Sequence, residues 1–324
     1  MVNSIGSSTP GKEPEGVKTL ILGSGPAGWT AALYAARAEL APVVLTGIDL
    51  GGQVALTYTV ENYPGFPEGV GGAQLGDLFQ KQAERFGAKV EFDSAQSVDL
   101  SSRPFKVTTE NQIYLADSLI IATGARPNHL EVPGETELTG MGISYCATCD
   151  GAFFKDRKVV VVGGGDSALE EGLFLTRYAT SVTIIHRRDS LRAGPILQGR
   201  AKSNPKVKFI WNSVLTEIIG KDKVEAARIK NLQTGEENLF PTEGVFIFIG
   251  HTPNTQMFAG QLEMENGYIK VDDRMQTSIP GVFAAGEAAD SHFRQVITSA
   301  GMGASAAMEV VKFLEDTTQE EVHH

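Results

Sequence analysis

One short pattern, present twice, constrains this chain more than any other feature. A β-type run enters a glycine-rich turn, which continues into a helix-forming stretch. In the first copy Val17 to Leu22 enters Gly23-Ser24-Gly25-Pro26-Ala27-Gly28, Trp29 to Ala38 follows as an alanine-rich helix, and Pro42 to Thr46 is the next strand. In the second, Lys158 to Val162 enters Gly163-Gly164-Gly165-Asp166-Ser167-Ala168, followed by a helical stretch to Tyr178 and a strand Ser181 to Ile185. In such a turn the first glycine takes a tight backbone conformation and the second lets main-chain amides approach a pyrophosphate. The third admits close helix–strand contact, and the helix N-terminus faces the anion. A single copy is weak evidence; two copies, each between a strand and a helix, point to two dinucleotide-binding βαβ units.

The ends of the two units also repeat. Asp117 to Asn128 can be laid over Glu243 to Asn254, strand over strand and Gly124-Ala-Arg-Pro127-Asn128 over Gly250-His-Thr-Pro253-Asn254. The expected fold is α/β with two Rossmann-like nucleotide-binding domains, the second inserted into the first. Residues 17–127 and 254–324 form the outer domain and 128–253 the inserted one, with the two Pro-Asn crossings as hinges. The outer sheet resumes near Gly281 to Ala285, and a helix from about Val296 to Phe313 completes it. Residues 1–16, rich in Ser, Gly, Pro and charge, read as a flexible tail. The closing His323-His324 is not used as a metal site.

Composition excludes several functions. The 324 residues carry 39 acidic and 28 basic side chains, a net charge of -11 that disfavours a nucleic-acid partner. No run approaches the ~20 apolar residues of a membrane span, and no signal-peptide pattern opens the chain, so a cytoplasmic location is expected. Two cysteines alone, Cys146 and Cys149, leave no disulfide framework and no four-cysteine zinc site.

Neither unit ends its second strand with the carboxylate that commonly holds an adenosine ribose. Thr46-Gly47 stands there in the first and His186-Arg187 in the second. His186-Arg187-Arg188, with Arg192 beyond, offers guanidinium forks suited to a 2′-phosphate, which favours NADPH over NADH. The first copy should then hold a different nucleotide. Its strand ending Ile121-Ala-Thr123-Gly124, with Phe283-Ala-Ala-Gly286-Glu287 far downstream, is the arrangement of a flavin domain, and FAD is the candidate.

Cys146-Ala-Thr-Cys149-Asp150 lies between the first crossing and the second glycine turn. Two thiols at this spacing can exchange electrons as a disulfide. A structural disulfide would constrain little chain, and half a metal site lacks ligands. Asp150 is placed to shuttle the proton that thiol chemistry requires.

These residues, with Gly51-Gly52-Gln53, Val60-Glu-Asn62-Tyr-Pro-Gly65, Cys146 to Gly151, His186-Arg-Arg-Asp189 and Arg294-Gln295-Val296 to Gly301, resemble the low-molecular-weight thioredoxin reductases from Val17 to Leu314. The resemblance implies a homodimeric enzyme that uses FAD and NADPH to reduce thioredoxin. It implies that Cys149 is the thiol nearer the flavin and that Cys146 attacks thioredoxin. It places FAD against Gly23, Gly25, Pro26, Ala27, Gly28, Thr46, Gly51, Gly52, Gln53, Asn62, Thr123, Gly124, Gly286, Glu287, Arg294, Gln295 and Val296. It places NADPH against Gly163, Gly165, Asp166, Ser167, Ala168, His186, Arg187, Arg188 and Arg192.

Glu287 departs from the family's usual Gly-Asp flavin motif, and Val54 to Tyr58 replaces a stretch usually richer in threonine. Trp29 and Tyr58 read as packing residues. The rival readings are a flavin dithiol oxidase, against which the basic cluster argues, and a non-catalytic flavin redox sensor, which steady NADPH consumption with thioredoxin would exclude. A peroxide-system reductase would need more chain before the first turn. Nicotinamide and dithiol both sit on the inserted domain and must reach one isoalloxazine, so that domain is expected to swivel at the two crossings.

Overall fold

Parallel strands built from Val, Ile and Leu form the centre of each of two units, into which the chain divides at Arg126/Pro127 and Thr252/Pro253. The computed structural model describes residues 13–57 and 59–322, the last five of them by their backbone alone. Residues 1–12 of the expected tail, Tyr58 and His323-His324 lie outside the described residues.

In the first unit seven strands make one sheet. Lys89–Glu91, Val43–Leu45, Glu15–Leu22, Ile113–Ile121 and Val282–Ala284 run parallel, in that order. Ile113–Ile121 also pairs antiparallel with Phe105–Thr109, which pairs with Ala95–Asp99. The central strands are covered on both faces, which is why they read as unbroken apolar runs and not as alternating ones. On one face the helices Pro26–Arg37 and Val296–Val322 pack with Ile21, Val44, Ile120 and Phe283. Their approach is close: a Cβ on Gly303 would stand 2.1 Å from the Ala27 carbonyl oxygen.

The second unit repeats the plan. Val207–Ile210, Ser181–Ile185, Lys158–Gly163, Gly244–Phe248 and Ile143–Ser144 form a five-stranded parallel sheet in that order. The helix Asp166–Leu175 covers one face, with Ala168, Leu169 and Leu175 buried against Val159, Val161, Val182 and Ile184. The other face packs on a three-stranded antiparallel sheet, Ser213–Gly220, Val224–Asn231 and Glu237–Pro241.

Several boundaries differ from the sequence reading. The first strand starts at Glu15, inside the stretch read as tail, because Glu15 and Gly16 already pair with Tyr114 and Leu115. The first helix begins at Pro26, a residue preset for a first helical turn. The helix after the second glycine turn stops at Leu175, where the amides of Thr176, Arg177 and Tyr178 tighten to i−3 carbonyls. The last helix continues past Phe313 to Val322. The antiparallel strands within residues 95–109 and 213–241 had no counterpart in the sequence reading, since they are half-exposed and share no motif with the repeat.

Candidate active site

The first glycine turn is tied down by a side chain that sequence reasoning passed over. The Ser24 hydroxyl donates to the Thr46 carbonyl at 2.7 Å and accepts the Gly51 amide at 3.1 Å. The turn, the end of the second strand and the Gly51-Gly52 loop are thereby drawn together, so closely that a Cβ on Gly52 would stand 2.9 Å from Gly25 Cα. Gly23 has φ +112°, and its Cβ would strike the Ala122 carbonyl oxygen at 2.2 Å. Gly28 sits where a Cβ would meet the Gly23 carbonyl oxygen at 1.9 Å. Gly25 caps the helix Pro26–Arg37 without a side-chain hydrogen bond, which leaves the first-turn amides for an anion.

Around the same strand ends, Thr123 Oγ1 is a buried hydroxyl with no protein partner, and Gly124 follows it at φ +68°. The Asn62 side-chain amide donates to Gln295 Oε1 at 3.1 Å, and Gln53 begins a 3-10 turn through Leu56. Asp290 accepts the amides of His292, Phe293 and Arg294 at 2.8, 2.9 and 3.0 Å, shaping the approach to Gln295 and to Val296, the first residue of the last helix. Glu287, in the turn Gly286–Ala288, is pushed up to about 7 by burial; Arg294 partly offsets this and Asp290 adds to it. A narrow backbone cradle, free first-turn amides and an orphaned buried hydroxyl suit a dinucleotide with a polar flavin edge. Trp29 is fully buried in the helix layer, as a packing residue.

The second turn has the same backbone logic. Gly163 has φ +154°, and its Cβ would stand 2.5 Å from the Phe248 carbonyl oxygen, as Gly23's would from Ala122. Ala168 fills the third-glycine position and lies beneath Gly163. The Arg192 and Ala193 amides donate to the Gly164 carbonyl at 2.8 and 3.2 Å, and the Gly194 amide to Asp166 Oδ1 at 2.7 Å. The loop after His186 is thus folded onto the turn, with the Arg192 guanidinium over Gly165 and Ser167 exposed beside it. Arg187 and Arg188 are exposed on this loop. His186 is buried against Gly164, its Nε2 has no protein partner, and burial lowers its pKa. The exposed guanidiniums and the orphaned ring nitrogen fit a phosphorylated nucleotide.

Cys146 and Cys149, also in the second unit, are joined as a disulfide with Cα atoms 5.3 Å apart. Cys146 caps the short helix Ala147–Asp150, and the Cys149 amide donates to Cys146 Sγ at 3.1 Å. The Ser144 hydroxyl accepts the Cys146 amide at 3.1 Å and bonds to the half-buried Asp150, whose carboxyl burial pushes up. Ser144 was within reach of a sequence reading, because a serine two residues before a cysteine suits a local side-chain turn. Glu171, which accepts the Ala147 amide at 2.9 Å, gave no such signal.

Two nucleotide-type turns and a dithiol define a class, and the similarities agree with it. The chain belongs to the pyridine nucleotide-disulphide oxidoreductases, matched over residues 17–303, and is an NADPH-dependent flavoprotein disulfide reductase with FAD and NADPH as cofactors. It is 50% identical over 303 residues to the thioredoxin reductase of Rickettsia felis, covering 92% of this chain and 98% of that one. It is 48% identical over 297 residues to that of Mycolicibacterium smegmatis, covering 91% and 96%. The crystal structure of thioredoxin reductase from Streptococcus pyogenes superposes with a TM-score of 0.88 at 45% identity, covering 93% of this chain and 99% of that one.

Proposed function

We infer that the chain is a thioredoxin-disulfide reductase, and the observation that carries the reading is the half-buried Cys146–Cys149 disulfide with Asp150 beside it. The first unit is the FAD-binding domain, held through the Gly23–Gly28 turn, Thr46, Gly51 to Gln53, Asn62, Thr123-Gly124, Gly286-Glu287 and Arg294 to Val296. The second is the NADPH-binding domain, held through Gly163 to Ala168, His186, Arg187, Arg188 and Arg192. FAD, when bound, supplies the two-electron relay between nicotinamide and dithiol.

The chain's own residues do the rest. Cys149 is the thiol presented to the flavin side, and Cys146 attacks the substrate disulfide. Asp150 keeps a proton on its carboxyl to a higher pH than an exposed aspartate would, and gives it to the departing thiolate. The Cys146 thiolate opens the thioredoxin disulfide to a mixed disulfide. Cys149 then displaces the second thioredoxin thiol, so one dithiol is oxidised for each disulfide reduced. Because nicotinamide and dithiol belong to one domain and serve one flavin in the other, the inserted domain swivels at the two Pro-Asn crossings during turnover.

The chain acts in the cytoplasm as a homodimer. Support for pairing comes from the first unit, where Tyr34, Leu78, Ile297 and Met308 expose apolar surface on three helices, near a shallow cavity of about 260 Å³ lined by Trp29, Tyr63 and Phe79. Among the described residues no helix is long and apolar enough to cross a membrane.

Cys146→Ser tests the reading. The variant should keep flavin reduction by NADPH, followed by flavin absorbance, and lose thioredoxin turnover. Turnover of thioredoxin at the parent rate would overturn the dithiol route, and NADPH consumption with oxygen alone at the thioredoxin-supported rate would favour an oxidase.

A further inference from the structure

The dithiol segment rests on the same helix that opens with the nucleotide turn, and it does so at both ends. At its start the Ala147 amide donates to Glu171 Oε2 at 2.9 Å. At its end Gly151 packs so near the helix and the turn after it that a Cβ there would stand 3.3 Å from Leu175 and 3.4 Å from Tyr178. Glu171 therefore brings a carboxylate to the amide that directly follows Cys146, while the Cys149 amide donates to Cys146 Sγ at 3.1 Å.

We propose that Glu171 is a positioning residue that keeps the Cys146–Cys149 pair strongly reducing. An exposed first amide beside Cys146 would stabilise a thiolate, as amides at helix starts do. Here that amide is engaged by a carboxylate, which also places a negative charge one residue from the sulfur. Both effects disfavour the thiolate of Cys146 in the reduced enzyme. A dithiol whose thiolate is not stabilised gives up its electrons more readily, because strongly oxidising pairs are those whose reduced form is stabilised. The step being tuned is the one already described, in which two thiols close to a disulfide as an external disulfide opens to two thiols.

Among the described residues, further titratable groups stand on the dithiol segment and on the helix beneath it. On its own segment stand Asp150 and Tyr145, the latter bonded to Glu135 and His129. On the helix beneath, Asp166 is bonded to the Gly194 amide and Glu170 is exposed.

The inference rests on the dithiol being redox-active, but its test needs no thioredoxin. The purified FAD-bound enzyme is equilibrated with glutathione buffers at pH 8, and alkylation of the reduced enzyme by iodoacetamide is followed against pH. Glu171→Gln keeps an acceptor for the Ala147 amide and removes the charge. It should shift the dithiol–disulfide equilibrium roughly three- to tenfold toward the dithiol and move the alkylation midpoint to lower pH. Glu171→Asp keeps the charge and should retain the parent equilibrium and midpoint. If Glu171→Gln folds with FAD and leaves both unchanged, or if Glu171→Asp shifts them as far as Gln does, the charge is not the agent and the proposal falls. A wild-type pair that alkylates normally but fails with thioredoxin would instead overturn the substrate assignment alone.

Discussion

Asn128 and Asn254 make the same two hydrogen bonds, each in its own unit. The Asn128 amide donates to the Gly250 carbonyl at 3.0 Å and its side chain to the Ile249 carbonyl at 3.4 Å. The Asn254 amide donates to the Gly124 carbonyl at 2.9 Å and its side chain to the Thr123 carbonyl at 3.0 Å. Each crossing is thus clasped by the asparagine of the other, and the Gly-x-x-Pro-Asn repeat has a physical function: glycine turns the chain, and asparagine donates across to its counterpart strand's end.

Asn254→Ala should destabilise the enzyme by about 0.5–1.5 kcal/mol, the net contribution of one side-chain hydrogen bond to a carbonyl. Asn254→Asp should do no better, since an ionised carboxylate cannot donate to the Thr123 oxygen. Urea unfolding of the FAD-bound protein measures both. Parent stability in Asn254→Asp would show that the side-chain bond contributes nothing.

On the proposed reading of the second unit, replacing Arg187 and Arg188 together by Ala should remove charge-assisted contacts to the 2′-phosphate of about 1.5–3 kcal/mol each, toward the lower end because both are exposed. NADPH should bind far more weakly while NADH binding changes little, as read by titration. Equal losses for both nucleotides would reduce the arginines to a basic surface.

Gly28→Ala forces a methyl to 1.9 Å from the Gly23 carbonyl oxygen, a contact that only backbone movement can relieve. Such overpacking costs about 1–3 kcal/mol and would open the turn. The expected outcome is protein purified with substoichiometric FAD and a lowered melting temperature. Full flavin content would mean that the turn adjusts without loss of its cradle.

Glu287 has a folded pKa of about 7 against an ordinary 4.5. Between these values the folded protein holds a proton that the unfolded chain has released, so stability falls as pH rises from 4.5 to about 7 and levels off above. Burial raises Asp150 as well, in the same sense. In the FAD-free protein, Glu287→Gln should therefore flatten the decline of melting temperature with pH across that window and exceed the parent above pH 7. An unchanged slope would show that Glu287 ionises as an exposed carboxyl does.

The geometry of the two glycine turns was readable because its causes are local. A glycine needed at positive φ, or where a Cβ would meet a carbonyl oxygen, leaves its mark in the same few residues that form the turn; Gly23, Gly28 and Gly163 show it. The dithiol and the basic loop were readable for the same reason, since Cys146 and Cys149, or Arg187 and Arg188, are near neighbours in sequence. The two compact units divide within the repeated Gly-x-x-Pro-Asn segments, one residue earlier at each crossing than the sequence reading set the boundary. What the tertiary structure decided were contacts whose partners are far apart in the chain and of ordinary type. Ser24 bonded to Thr46 and Gly51, Glu171 to the Ala147 amide and Asp166 to the Gly194 amide join loops by a single side chain at separations of 22 to 28 residues. A serine or a carboxylate has too many uses for its type alone to name its partner. Only the packing of helices onto the two sheets brings these groups within hydrogen-bond reach, and with them comes the environment that lifts Glu287 and Asp150 above ordinary carboxyls.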